Sequence, residues 1–212
     1  MKHWMIFDFD GTVANSIEEL FELINGMAPR YGYKPISREM FDQLRDLPLA
    51  KACRKLKVPL YKLGKVIPVI LAEYRRIIPD LEPYPGIVPT LKQLNDMGIS
   101  LGLISSNNTD NVRSFLDHHN ISCFKWIEGT GGLLHKHNSI KRQIIKHGLQ
   151  NEKVMYVGDE VRDIRAARKS NVQVISVTWG LHSAENLRNH KPDHLIGKPM
   201  EIVAIAKGFI GE

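Results

Sequence analysis

Apolar and polar positions along this chain follow two rhythms. Met5, Ile6 and Phe7 form an unbroken apolar run that stops at Asp8, Asp10 and Gly11. A short run of this kind, bounded by turn residues, reads as a strand buried on both faces. From residue 16 to about 80 the rhythm becomes helical. Ile17, Leu20, Phe21 and Ile24 recur on one face, and Ser16 stands in N-cap position. Ser37 and Glu39 open a second helical stretch. Leu60 to Ile78 makes a third, where Pro68 predicts a kink and Pro79 an end. Glu82-Pro83-Tyr84-Pro85-Gly86 then has the composition of a linker.

Beyond the linker, helix and strand alternate. Helical spacing over Val88–Met97 stops at Gly98, and Ile99–Ile104 reads as a strand ending in Ser105-Ser106-Asn107. Asn111–His118 and Ser139–His147 read as helices, with Phe124–Ile127 a short strand between them. Val154–Val157 is a strand ending in Gly158-Asp159, followed by a helix through Ala166 and Ala167. Val174–Val177 is another strand, and His194–Ile196 a short last one. Buried apolar strands alternating with amphipathic helices predict an α/β fold, a Rossmann-like parallel sheet with helices on both faces. The first strand is separated from the others by the helical stretch, which makes that stretch an insertion. We expect a core from residues 1–14 and 83–212 and a small all-α cap over 15–82.

Composition narrows the class. At 212 residues and 43% hydrophobic, the chain can bury one good core and a small second unit. It contains no apolar run of about eighteen residues, and the N-terminus enters strand pattern without a signal-peptide layout. Cys53 and Cys123 stand far apart, which argues against a disulfide framework and for a reducing compartment. The expectation is a cytoplasmic protein, monomer or homodimer, without a membrane partner. The net charge of +6 suits a small anion or nucleic acid, but no Arg-rich arm, zinc spacing or RNA-binding signature supports nucleic acid. Charge concentrates between Arg45 and Lys65, where seven basic residues face the single acid Asp46. Such a run is either a solvated helix face or a positive lid over an anionic substrate.

In an open parallel sheet, ligands bind outside the carboxyl ends of the strands, near the switch in strand order. Reactive side chains collect at that edge. Asp8 and Asp10, at i and i+2, share one face of an extended chain. Ser105 ends the second strand, and we prefer it to Ser106 because Leu101–Ile104 leads directly into it. Asp159 ends a later strand, and Asp163 lies one helical turn beyond it. Lys136 sits in the loop opening the helix before the Asp159 strand. Carboxylates gathered in one pocket repel unless a cation neutralises them, and all-oxygen donors favour Mg²⁺ over zinc. A hydroxyl and an ammonium at the same site suit the oxygens of a phosphoryl group.

These residues resemble the haloacid dehalogenase-like superfamily, in its phosphoglycolate phosphatase-like branch. The resemblance is carried by Asp8-Phe-Asp10-Gly11-Thr12, strand-terminal Ser105, Lys136 and Gly158-Asp159-x-x-x-Asp163, in that order, around a helical insert. It extends to Tyr84-Pro85-Gly86 and Val177-Thr178-Trp179-Gly180. It implies a Mg²⁺-dependent phosphatase acting on a small phosphorylated metabolite through an aspartyl-phosphate. Asp8 would be the nucleophile, and Asp10 the acid and then the base. Ser105 and Lys136 would hold phosphoryl oxygens, with Asn107 as a further contact. Asp8, the backbone carbonyl of Asp10, Asp159 and Asp163 would hold the metal, the last directly or through water. The chain departs from the family pattern at Asn15, where many relatives carry Asp, and at His137, where Pro commonly follows the lysine.

The cap would choose the leaving group. Arg45 and Lys51 are the candidate substrate contacts, because they flank Leu47-Pro48-Leu49, a loop expected between cap helices. A phosphomutase of the same superfamily would use the same acids. A phospho-accepting receiver module also uses a strand-end Asp, a hydroxyl and a lysine, but its acid pair precedes the acceptor and it has no inserted cap. His118 and His119 are expected at the surface, and His135 and His137 on a loop. Trp179 is expected to pack, and Asn107 or Asn108 to cap the following helix.

Overall fold

The computed structural model describes residues 3–47, 49–56, 60–130 and 136–211. Six strands form one sheet: β1 (Trp4–Phe7), β2 (Ser100–Ser105), β3 (Phe124–Gly129), β4 (Val154–Gly158), β5 (Gln173–Val177) and β6 (His194–Ile196). Their order is β3-β2-β1-β4-β5-β6, and every pairing is parallel. The chain winds outward from β1 to one edge, returns to β4 on the other side, and winds outward again. That reversal makes the gap between the carboxyl ends of β1 and β4 the place where a ligand can enter. The hydrogen bond from Asp8 N–H to Val157 O (2.8 Å) carries the β1–β4 pairing up to the first acid.

Alternation along β1 sorts the core into two faces. Met5, Phe7 and Phe9 belong to a cluster with α5 (Ile87–Asp96), α6 (Thr109–His118) and α10 (Glu201–Ile210). Trp4 and Ile6 belong to the opposite cluster, with α7 (Lys136–Lys146), α8 (Val161–Lys169) and Leu187 of α9 (Ala184–Asn189). Met5, Ile6 and Phe7 are fully buried, and each such side chain stabilises the fold by roughly 1.5–3 kcal/mol. By the same alternation Asp8 faces the α7 side, which is where its lysine comes from.

Between β1 and β2 the chain forms α1 (Ile17–Tyr31), α2 (Arg38–Leu44), α3 (Leu49–Lys55) and α4 (Leu60–Ile77). The first three share a cluster centred on Ile36, Phe41 and Leu44, with Ile17, Phe21 and Ile24 packed against it. The two passages into and out of this segment are stitched together. Asn15 N–H donates to Glu82 O (2.8 Å), Tyr84 N–H donates to Val13 O (2.8 Å), and Ala14 bridges Pro83. Another tie runs through Asp46. Asp46 accepts from Ser183 N–H (2.9 Å), from the Ser183 hydroxyl and from Asn186 Nδ2 (3.0 Å). The end of the segment belongs to the sheet, since Tyr74, Ile78 and Leu81 join the β1 cluster.

The structure corrects several local expectations. Ser16 precedes α1 but does not cap it; its Oγ accepts from Gly11 N–H (2.9 Å) instead. Ser37 does cap α2, accepting from Met40 N–H. Leu49, expected in a loop, begins α3, while Pro48 lies outside the described residues. Lys136 opens α7 rather than preceding it. No described helix is long and apolar enough to cross a membrane.

Gly102, in the middle of buried β2, has a packing reason. A Cβ there would lie 2.2 Å from the ring of Trp126 on β3, its registered neighbour. Trp126 in turn stacks on Trp4 (6.3 Å) and His147 (5.7 Å). Gly102→Ala is therefore expected to destabilise the fold by about 1–3 kcal/mol through overpacking. Chemical denaturation should show this as a lower midpoint at unchanged slope.

Candidate active site

Asp8 leaves the end of β1 buried and doubly held. Its Oδ1 accepts from Phe9 N–H (2.8 Å), and its Oδ2 accepts from Lys136 Nζ (2.7 Å). The same ammonium donates to Asp163 Oδ1 (2.5 Å). Asp163 is at the third position of α8, where its Oδ2 accepts from Glu160 N–H (3.0 Å) as half of a capping box. A carboxylate in the first turn of a helix is favoured by the unpaired N–H groups there.

Asp159 follows β4 and is held from two directions. Its Oδ1 accepts from Thr12 Oγ1 (3.0 Å), and its Oδ2 accepts from Leu181 N–H (2.7 Å). Two glycines make room for it. Gly11 turns the chain with φ +72°, and a Cβ there would fall 2.4 Å from Asp159 Oδ2. A Cβ on Gly180 would fall 2.2 Å from the Cβ of Asp159. The result is that Asp8, Asp159 and Asp163 each offer a carboxylate oxygen within 4.8 Å of the others.

Asp10 stands apart from that trio. Its Oδ1 accepts from the hydroxyl of Tyr74 (2.6 Å), which reaches in from α4. Ser105 is buried at the end of β2, and the β1–β2 register, with Phe7 opposite Leu103, sets it level with Phe9. Its Oγ accepts from Asn107 N–H (2.9 Å), and Asn107 is buried beside it. Asn108, not Asn107, caps α6, accepting from Asn111 N–H (2.8 Å).

Residues 5–177 match the sequence model of the haloacid dehalogenase-like hydrolases. The chain belongs to this family. It is 30% identical to phosphoglycolate phosphatase of Synechococcus elongatus, over 94% of each chain. It is 25% identical to that of Vibrio cholerae, over 94% of this chain and 96% of the other. A haloacid dehalogenase-like family hydrolase from Streptococcus pneumoniae shares the fold, with a TM-score of 0.83 at 21% identity over 96% of this chain and 98% of its own.

In this member of the haloacid dehalogenase-like family the charge balance of the site is uneven. The carboxyls of Asp8, Asp10, Asp159, Asp163 and Glu160 face two cations, Lys136 and Arg162. Burial pushes Asp8 up to about 6 against the pull of Lys136. Burial likewise pushes Asp10 up to about 6, opposed by the Tyr74 hydrogen bond. Asp159 rises well above the ordinary carboxyl range through burial and its acidic neighbours. Burial alone would lower Lys136, but Asp163 and Asp8 outweigh it and hold the ammonium well above its usual value. A divalent cation fits this donor set. All three candidate ligands are hard oxygens, and one from each carboxylate lies within 4.8 Å of the others.

Several contributors carry no signal that a single sequence displays. Tyr74 comes from a helix in the insert, Leu181 contributes only its N–H, and Trp179 braces Thr12 by donating Nε1–H to its carbonyl (3.2 Å). Trp179 also stacks on Tyr84 (4.9 Å), the packing role expected of it. Glu160 and Arg162 pair with each other at the start of α8. Arg45 donates to Gly180 O (3.3 Å), so the insert touches the loop that covers Asp159. Lys51 is exposed on α3, and no described contact joins it to the acids. His118 is exposed as expected, whereas His119 is half-buried against Phe115, its Nε2 2.7 Å from Leu81 O. His135 lies outside the described residues.

The raised acids have a thermodynamic consequence. A carboxyl whose folded pKa lies above its unfolded value stabilises the fold at low pH, and that stability is lost as pH rises through the folded pKa. For Asp8 and Asp10 the window runs from the ordinary 3.8 to about 6. In chelator, the cluster should lower the melting temperature across this window. Saturating Mg²⁺ should then raise the melting temperature by several degrees more at about pH 7 than at about pH 5, because it binds the ionised acids. Equal Mg²⁺ shifts at both pH values would contradict the cluster as a cation site.

Proposed function

We propose that the protein is a Mg²⁺-dependent phosphatase that hydrolyses a small acid-bearing phosphomonoester, phosphoglycolate or a close analogue, through an aspartyl-phosphate. The observation that carries this reading is the division between the two acids of the first loop. Asp8 is tied into the lysine and carboxylate cluster, while Asp10, two residues on, is set apart with a hydroxyl partner. Two adjacent acids in unlike surroundings suit unlike roles.

In this reading an Asp8 oxygen attacks phosphorus while the bond to the leaving oxygen breaks, and Asp10 donates its proton to that oxygen. Water then attacks the aspartyl-phosphate, Asp10 takes the water's proton, and Asp8 is released. Ser105, Asn107 and Lys136 hold phosphoryl oxygens. Asp8, the backbone carbonyl of Asp10, Asp159 and Asp163 would hold Mg²⁺. When bound, the ion masks the charge that would otherwise repel a carboxylate from a phosphate dianion.

Residues 15–82 act as a cap over a core of residues 1–14 and 83–212, with Arg45 and Lys51 facing an acidic group on the leaving alcohol. Two lines support this choice of substrate: the names of the Synechococcus and Vibrio relatives, and the basic run that includes Arg45.

Phosphate release from phosphoglycolate and from a neutral alkyl phosphate tests the proposal. Activity should require Mg²⁺ and disappear in chelator. Asp8→Asn should lose at least about a thousandfold in kcat with the fold retained. Hydrolysis by Asp8→Asn at the wild-type rate would overturn the assignment, and transfer to a second hydroxyl without phosphate release would indicate a mutase. Arg45→Ala and Lys51→Ala should each cost about ten- to a hundredfold on phosphoglycolate and little on the neutral ester.

A further inference from the structure

We propose that Tyr74 is the positioning residue for Asp10, holding one carboxyl oxygen so that the other faces the leaving group. This rests on the reading of Asp10 as acid and base.

The geometry is specific. The Tyr74 hydroxyl donates to Asp10 Oδ1 at 2.6 Å, across 64 positions of sequence. Tyr74 is only 9% exposed and packs in the same cluster as Phe9, Val13 and Ile78. The ring is therefore fixed by apolar contacts, and the hydroxyl is aimed by the ring. An aspartate carboxyl rotates in a broad torsional well, so without a partner its two oxygens exchange places freely. A donor on Oδ1 removes that freedom and assigns the proton to Oδ2. A phenol keeps its proton at neutral pH, so the hydroxyl remains a donor.

The surroundings keep Tyr74 in place. Ser16, at the first passage into the insert, is buried and accepts from the N–H of Gly11 (2.9 Å), the residue after Asp10. Asn111 Nδ2 donates to the carbonyl of Arg75 (3.0 Å), pinning the residue after Tyr74 to α6. Both passages between insert and core thus converge on Asp10. The acid is aligned by the base of the insert, the part that packs with the sheet.

In the chemical steps Tyr74 neither gains nor loses a proton. As the Asp8–phosphorus bond forms and the phosphorus–oxygen bond breaks, the proton on Asp10 Oδ2 passes to the leaving oxygen. As water attacks and the Asp8–phosphorus bond breaks, a proton returns from water to Oδ2. The contribution of Tyr74 is orientation, and it matters most when the leaving oxygen needs that proton.

The test is Tyr74→Phe in the full chain with Mg²⁺, followed in single turnover on phosphoglycolate and on 4-nitrophenyl phosphate, an ester with a good leaving group. The expected loss is about tenfold on phosphoglycolate and less than about twofold on the aryl ester. In an Asp10→Asn background the same substitution should cost less than about twofold on phosphoglycolate, because no proton is left to orient. The Mg²⁺-induced melting shift should be unchanged, since Tyr74 touches none of the clustered acids. Equal losses on both esters, an undiminished loss in the Asp10→Asn background, or no loss on phosphoglycolate would each overturn the positioning role. A wild-type rate for Asp10→Asn alone would instead overturn the reading of Asp10 itself.

Discussion

The Nζ of Lys136 lies 2.7 Å from Asp8 and 2.5 Å from Asp163, and all three side chains are nearly or wholly buried. Each charge alone would be costly to remove from water, and removing one partner of such a group typically costs about 3–5 kcal/mol. Together they join three pieces of chain: the end of β1, the start of α7 and the first turn of α8. This shared ammonium offsets part of the repulsion among the carboxylates at the switch point, although burial still raises the pKa of Asp8 and Asp159. The first turn of α8 is tied to the end of β1 through the ammonium.

Around that centre the fold supplies position and little else. The winding order sets β1 beside β4, so acids from residues 8 and 159 meet although most of the chain lies between them. The strands are rigid because both faces are covered, and the polar residues begin where the apolar runs stop. The insert is attached at its base through Asn15, Ala14 and Tyr84, and again through Asp46, which accepts from Ser183 on the loop before α9. A segment held at two separated points can present side chains to the sheet edge with a defined orientation.

Much of this was legible in the residues themselves. An apolar run ending in acids at i and i+2 announces a strand delivering both to one edge, and acids at i and i+4 after another strand announce a helix turning one back toward it. Both patterns are local, so local rules recover them. Lys136 was legible as a site residue but not as a residue of α7. Ser16 looks like a helix cap because its residue type fits. The competing N–H of Gly11 captures it instead, which only the folded loop makes available. Tyr74 was invisible, since on its helix it reads as one more apolar position. Gly102 was equally silent, because its reason lies in a tryptophan on the next strand.

Gly11 and Gly180 come from opposite ends of the chain, and both are pressed against the same carboxylate. Even the smallest side chain at either position would need the space that Asp159 occupies. These two sites therefore have no neighbours in sequence space: no stepwise route leads from glycine through alanine to anything larger without first moving the acid. Adaptation to a new substrate has to pass elsewhere, through surfaces such as the insert, where a changed side chain displaces only solvent. One buried carboxylate thus partitions the molecule into positions that can drift and positions that cannot.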